Sequence, residues 1–189
     1  DLLVQSTHKL LGALTQASML HTQGHRITRS RLQAALQLTQ STSPSYLLLA
    51  SLDAARHQMA TGGPDLLTQT LALASQMRSG LKALPSLKVI AQEDVLPFTS
   101  VKALDPTRLT VDVAGLGLTG LEADEILHEE LGVTAELPEL RHLTFIVSIG
   151  NTLADGERCL EGFKILQSRC ADGGEKHHAF LLATVTPPR

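Results

Sequence analysis

Leu2-Leu3-Val4-Gln5-Ser6-Thr7-His8-Lys9 is the stretch on which the reading of this chain turns. Three apolar residues lead into a polar run, which predicts a strand over Leu2–Thr7 with Lys9 just beyond its end. A lysine becomes chemically useful when its amine is partly desolvated and can be neutral, because it can then form a Schiff base with an aldehyde. Ser6 lies three residues before Lys9 and His8 lies beside it. A hydroxyl and an imidazole are the donors that a phosphate group needs. On these letters alone a solvated surface lysine remains the ordinary alternative.

Outward from that stretch, Leu10 to Met19 fits helix or irregular chain equally, and Gly24 interrupts it. Leu32, Ala35, Leu36 and Thr39 recur at helical spacing and predict a helix from Thr28. Ser43-Pro44 has the form of an N-cap followed by a first-turn proline. Tyr46 to Ala60 is apolar on nearly every face until Asp53, which predicts a helix buried on several sides. Gly62-Gly63-Pro64 is expected to end it. A second helix is expected from Pro64-Asp65 to Lys82, with Leu67, Leu71, Ala74 and Met77 inward.

After Pro85 the texture changes. Leu87–Ala91, Arg108–Val113 and Leu143–Ile149 read as strands, and Phe180–Val185 as a last short one. Thr119-Gly120-Leu121-Glu122 is a capping box, with Gly132 as the stop of the helix it opens. Thr152 caps a final helix with Leu153, Leu160, Phe163 and Leu166 inward, followed by a loop at Asp172-Gly173-Gly174. The class is α/β, with a seam at Leu84-Pro85 that separates domains 1–84 and 85–189.

Composition excludes several functions. The 189 residues carry 16 Lys plus Arg against 19 Asp plus Glu, a net charge of −3, which argues against a nucleic-acid partner. Five aromatics (four Phe, one Tyr, no Trp) are too few for base-stacking platforms. Runs such as Tyr46–Ala50 are too short to span a membrane. Cys159 and Cys170 lie eleven residues apart on the expected last helix, a rise of roughly 16 Å. A disulfide needs Cα atoms within about 7 Å, so two free thiols and a cytoplasmic location follow.

The run from Val4 to His21 resembles the cofactor-lysine motif of the bacterial ornithine/lysine/arginine decarboxylases. These are pyridoxal 5'-phosphate enzymes of the aspartate-aminotransferase fold. Gln40-Ser41-Thr42-Ser43-Pro44-Ser45-Tyr46 with Leu47 to Arg56 is similar to the family's next block. Leu109–Val113 with Gly115–Gly120, and Leu143–Thr152, resemble its small-domain blocks. The four blocks stand in family order over most of residues 1–170.

The resemblance implies a partial PLP-dependent transferase fold. Residues 1–84 would be the end of the PLP-binding large domain, and 85–189 a small α/β domain. It implies Lys9 as the residue that binds the cofactor aldehyde, and Ser6 and His8 as contacts to its phosphate. His8 also faces the substrate, so Lys9 and His8 are the catalytic candidates. Thr42 and Ser43 would reach the phosphate site of the other subunit in a homodimer or higher oligomer. The implied reaction is α-decarboxylation of arginine, lysine or ornithine to a polyamine precursor. A related aminotransferase or lyase, and a non-catalytic remnant or dimerisation module, are the alternatives.

In that family the Asp paired with the pyridine nitrogen, the group stacked on the ring and a phosphate-binding turn all precede the lysine motif. Asp1, eight residues before Lys9 on the same strand, does not fit the first role. The expectation is a fragment lacking the N-terminal half and the C-terminal tail, inactive alone.

Weaker features have simpler readings. His21 and His25 lack a third ligand at metal spacing, so no metal is expected. His177-His178 reads as a solvated loop. Asp124, Glu125, Glu129 and Glu130 read as a solvated helix face. Gly115, Gly117 and Gly120 have the spacing of a dinucleotide loop, but the resemblance makes them a small-domain turn.

Overall fold

The computed structural model describes residues 2–97 and 100–171. The chain forms two compact units, Asp1–Leu67 and Thr68–Arg189. The expected loop at Asp172, the pair His177-His178 and the strand Phe180–Val185 lie outside the described residues.

In the first unit, β1 (Leu2–Gln5) pairs antiparallel with β2 (Met19–Thr22), Leu2 opposite Thr22 and Gln5 opposite Met19. The strand ends two residues earlier than the sequence suggests. Thr7 starts a single helical turn, α1 (Thr7–Leu10), closed by Leu11 N–H to Thr7 O at 3.0 Å. Lys9 therefore sits on this turn and not after a strand.

Helix α2 (Arg29–Thr39) starts at Thr28 as expected. Its apolar positions Leu32 and Leu36 are only half-buried, and Ala35 and Thr39 are exposed. Helix α3 (Tyr46–Lys82) starts later than Ser43-Pro44 implied. Ser43 N–H turns back to Ser41 Oγ at 3.2 Å, and Ser45 Oγ accepts Leu48 N–H in its place. The start of α3 is not buried on several sides. Tyr46 is 80% and Leu47 70% exposed, because the first unit lays no apolar layer over them. Within α3 only Ala55 and Gly63 of that unit's residues are buried.

Gly62-Gly63-Pro64 does not end the helix, and α3 runs through it for 37 residues. A proline ring clashes most with a Cβ on the residue before it, and Gly63 has none. The propensity cost of Gly and Pro is of order a few kcal/mol, and the turns beyond are held by burial. In the second unit α3 buries Thr70, Leu73, Ala74, Met77 and Leu81. Leu67 and Leu71, expected inward, lie on the flank of that stripe and are each 45% exposed.

The second unit is a four-stranded antiparallel sheet in the order β3-β4-β6-β5. The strands are β3 (Lys88–Val89), β4 (Arg108–Asp112), β5 (Leu137–Pro138) and β6 (His142–Ile146). Leu109 and Val111 on β4 and Leu143 and Phe145 on β6 alternate inward with half-buried neighbours. On the other face Thr110 and Thr144 pair their hydroxyls at 3.0 Å. The short helix α4 (Gln92–Val95) and β5 carried no clear sequence signal.

The inward sheet face meets α3, α5 (Gly120–Leu131) and α6 (Leu153–Ala171). Arg78 of α3 donates to the carbonyls of Ile90 (2.6 Å), Pro106 (3.2 Å) and Arg108 (2.9 Å), tying the helix to the sheet. Burial lowers the pKa of its guanidinium, with Glu93 opposing that.

Thr119 and Glu122 form the expected capping box, with Thr119 N–H to Glu122 Oε2 at 2.7 Å and Glu122 N–H to Thr119 Oγ1 at 3.2 Å. Helix α5 ends at Gly132 in the left-handed conformation. Thr152 and Asp155 start α6 the same way, at 2.7 and 3.4 Å. The Thr152 bonds hold the Asp155 carboxyl below the ordinary carboxylate range. Strand β6 stops before Ile149 because a turn follows, with Ser148 N–H on Asn151 Oδ1 at 2.8 Å. Phe163 and Leu166 are fully buried and Leu160 packs against the core, as expected. Leu153, expected inward, is the first residue of α6 and is 63% exposed.

The Gly115–Gly120 segment serves the chain's own packing. A Cβ on Gly115 would stand 2.3 Å from Ser86 O, and one on Gly120 2.1 Å from Glu139 O and 2.6 Å from His142 O. Backbone carbonyls cannot yield as a side chain can. Gly120→Ala is expected to lower stability by about 1–3 kcal/mol, read as a lower urea midpoint. An unchanged midpoint would contradict the close approach.

Both cysteines lie on α6 and are free. Burial pushes the Cys159 thiol up to about 12, and Cys170 is raised less far. The thiolate is the reactive form. Near pH 8, alkylation of native protein is expected on Cys170 alone, with Cys159 labelled only after unfolding, as read by peptide mass spectrometry. Among the described residues no helix is long and apolar enough to cross a membrane.

Candidate functional site

Hairpin β1–β2 ends at the turn that carries the candidate residues. Thr7 is 1% exposed and anchors α1 inward. Ser6, at the N-cap position, makes no side-chain capping bond and is exposed. Its hydroxyl is therefore not consumed by the helix it precedes. Lys9 is exposed and has no side-chain partner among the described residues.

His8 is half-buried and held twice by one oxygen. Its backbone N–H donates to Ala17 O at 3.1 Å, and its ring Nδ1 lies 2.8 Å from the same oxygen. Ala17 is 2% exposed. The loop before it is tied to α3 through Leu14 N–H on Ser51 Oγ at 3.2 Å. Gln16, at φ +75°, is the one non-glycine of positive φ among the described residues. A non-glycine there costs on the order of 1 kcal/mol.

Thr42 and Ser43 lie between α2 and α3, and both are exposed. Among the described residues no hydrogen bond joins either of them to Ser6, His8 or Lys9. The structure thus gathers Ser6, His8 and Lys9 on one turn and leaves Thr42 and Ser43 on a separate segment.

This donor set suits a small anion that bears an aldehyde. The turn offers the Ser6 hydroxyl, the His8 imidazole and the Lys9 amine. A further signal in the sequence escaped motif reading: no Asp or Glu occurs from Leu2 to Leu52, while Lys9, Arg26, Arg29 and Arg31 do. A phosphate near these residues would meet no carboxylate of that stretch. The first carboxylate after it, Asp53, pairs with Arg56 at 2.8 Å.

Other expected features have structural uses. His21 Nε2 lies 3.0 Å from Gln5 Oε1 across the hairpin. No group of three possible metal ligands occurs among the described residues. On α5, Asp124 accepts Ala135 N–H at 3.2 Å and Glu130 pairs with Arg169. A cavity of about 300 Å³ in the second unit, between Val133–Ala135, Phe145 and the first turns of α6, contains none of the candidate residues.

Residues 2–155 match the family described as Orn/Lys/Arg decarboxylase, major domain. The chain is 40% identical over 152 residues to an arginine decarboxylase of Halalkalibacterium halodurans, covering 80% of this chain and 31% of that protein. It is 34% identical over 177 residues to the arginine decarboxylase of Bacillus subtilis, covering 94% and 36%. Its fold is similar to the crystal structure of the Francisella novicida lysine decarboxylase LdcF. The TM-score is 0.76 at 26% identity, over 90% of this chain and 28% of that one. The chain spans about a third of the length of the curated relatives it matches. The matched region contains all four sequence blocks and the turn that holds Lys9, and the chain belongs to the ornithine/lysine/arginine decarboxylase family.

Proposed function

We propose that this chain carries the cofactor-lysine segment of a pyridoxal-phosphate-dependent decarboxylase acting on arginine, lysine or ornithine. The observation that carries the reading is the turn itself. Ser6, His8 and Lys9 share it, in a family member whose surrounding stretch is free of carboxylates. When bound, pyridoxal phosphate supplies an electron-withdrawing ring that takes up the charge left at the substrate α-carbon as carbon dioxide departs.

The residues divide the remaining work. Lys9 presents an exposed amine on the α1 turn, where an aldehyde would be held covalently. Ser6 Oγ and the His8 ring offer hydrogen bonds to a phosphate. Thr42 and Ser43 offer two more hydroxyls, which by the family resemblance would act across a homodimer. Residues 1–84 then act as the end of a large cofactor-binding domain and 85–189 as a small domain. The last turns of α3 belong to the second unit's core although they precede that seam. Two free cysteines favour a cytoplasmic location.

The test uses protein expressed from its full gene. After incubation with pyridoxal phosphate and borohydride, the pyridoxyl group is expected on the Lys9 peptide. Carbon dioxide release is then measured from carboxyl-labelled arginine, lysine and ornithine. Label on another lysine, or none, would overturn the reading. Keto-acid or elimination products without carbon dioxide would point to an aminotransferase or lyase of the same fold.

A further inference from the structure

We infer that the left-handed turn at Gln16 is a positioning device for His8. It aims the Ala17 carbonyl so that the His8 ring is fixed as its Nδ1–H tautomer, leaving Nε2 as the ring's acceptor. The inference rests on the functional reading above only for why His8 matters.

A carbonyl oxygen can only accept, so a ring nitrogen 2.8 Å from Ala17 O must carry the proton. The same oxygen also accepts the His8 backbone N–H at 3.1 Å. A carbonyl has two lone pairs, so both bonds can form together. The second fixes the main chain of His8 relative to Ala17 and leaves the ring little freedom to turn away.

Gln16 supplies the geometry. Its side chain is exposed, so packing of that side chain does not explain its φ of +75°. The turn is closed around it by Ala17 N–H on Leu14 O at 3.0 Å, and Leu14 N–H is held by Ser51 Oγ at 3.2 Å. Chain on both sides is thus fixed, and the left-handed residue is what turns the Ala17 carbonyl toward His8.

The consequence is chemical. A neutral His8 held this way offers Nε2 as an acceptor only. Nδ1 is occupied by the Ala17 carbonyl, so Nε2 is the ring nitrogen left to meet a ligand.

The test is nitrogen-15 NMR of histidine-labelled protein from the full gene, stripped of cofactor, at a pH well above the ordinary histidine value of about 6.5. His8→Gln identifies the His8 signals by difference. The expected spectrum has a protonated-type resonance for Nδ1 and an unprotonated-type resonance for Nε2. Gln16→Gly is expected to keep this pattern, because glycine adopts positive φ freely. Gln16→Ile is expected to lose it, because a β-branched residue resists that conformation. A wild-type His8 protonated at Nε2 overturns the inference. An unchanged pattern in Gln16→Ile overturns the role given to Gln16. Failure to label Lys9 would remove the decarboxylase reading and leave these spectra as they are, so the two failures are distinct.

Discussion

Lys9→Ala is expected to reduce carbon dioxide release by at least about a thousandfold, the scale seen when a covalent catalytic residue is removed. The fold should barely notice. Lys9 is exposed and has no side-chain partner among the described residues, so its loss strands no buried group there and leaves no cavity. Surface changes of that kind usually fall within about 0.5 kcal/mol. The two measurements separate chemistry from folding: carbon dioxide release collapses while the thermal midpoint stays. Activity above a tenth of wild type would mean that another amine holds the cofactor. A collapse of both would mean that Lys9 has a structural role not visible in its contacts.

Phe163→Ala is expected to act in the opposite sense, through stability. Phe163 on α6 is fully buried, and its ring meets Phe145 of β6 edge to face with centroids 5.7 Å apart. With so few aromatics in the chain, this pair fills volume that aliphatic neighbours cannot replace. Truncation removes the transfer energy of the ring and leaves a cavity, at a cost of about 3–5 kcal/mol. Phe163→Leu keeps most of the volume and should recover more than half of that loss. Urea unfolding followed by circular dichroism reads both. A loss below about 1 kcal/mol would show that the sheet and α6 can close over the gap.

These sites differ in how openly the sequence declares them. The second unit was legible because its signals are local and agree with one another. Leu109 and Val111 alternate with polar residues, Thr119-Glu122 caps α5, and Gly132 stops it. Each is enforced by neighbours a few residues away. Gly62-Gly63-Pro64 misled for the converse reason. Local propensity argued for a break, and burial of α3 residues several turns further on prevailed. The apolar residues Tyr46 and Leu47 misled too, since apolarity alone does not say which layer covers a face.

At the candidate site, residue types were readable and orientation was not. Ser6, His8 and Lys9 follow from a motif. The tie from His8 to Ala17 spans nine residues of a segment with no periodic pattern, and β2 carries no strand signal in the sequence. Positive φ at a glutamine leaves no trace in composition.

The hairpin that presents Lys9 has a consequence for handling the protein. Among the described residues its two strands pair only with each other, and Leu3 and Val4 are 62% and 72% exposed. Isolated two-stranded ribbons are marginal in water, and open apolar edges recruit further strands. The hairpin that leads into the Lys9 turn is therefore open to self-association as concentration rises. A lysine placed at Val4 would be the natural first change for a better-behaved preparation.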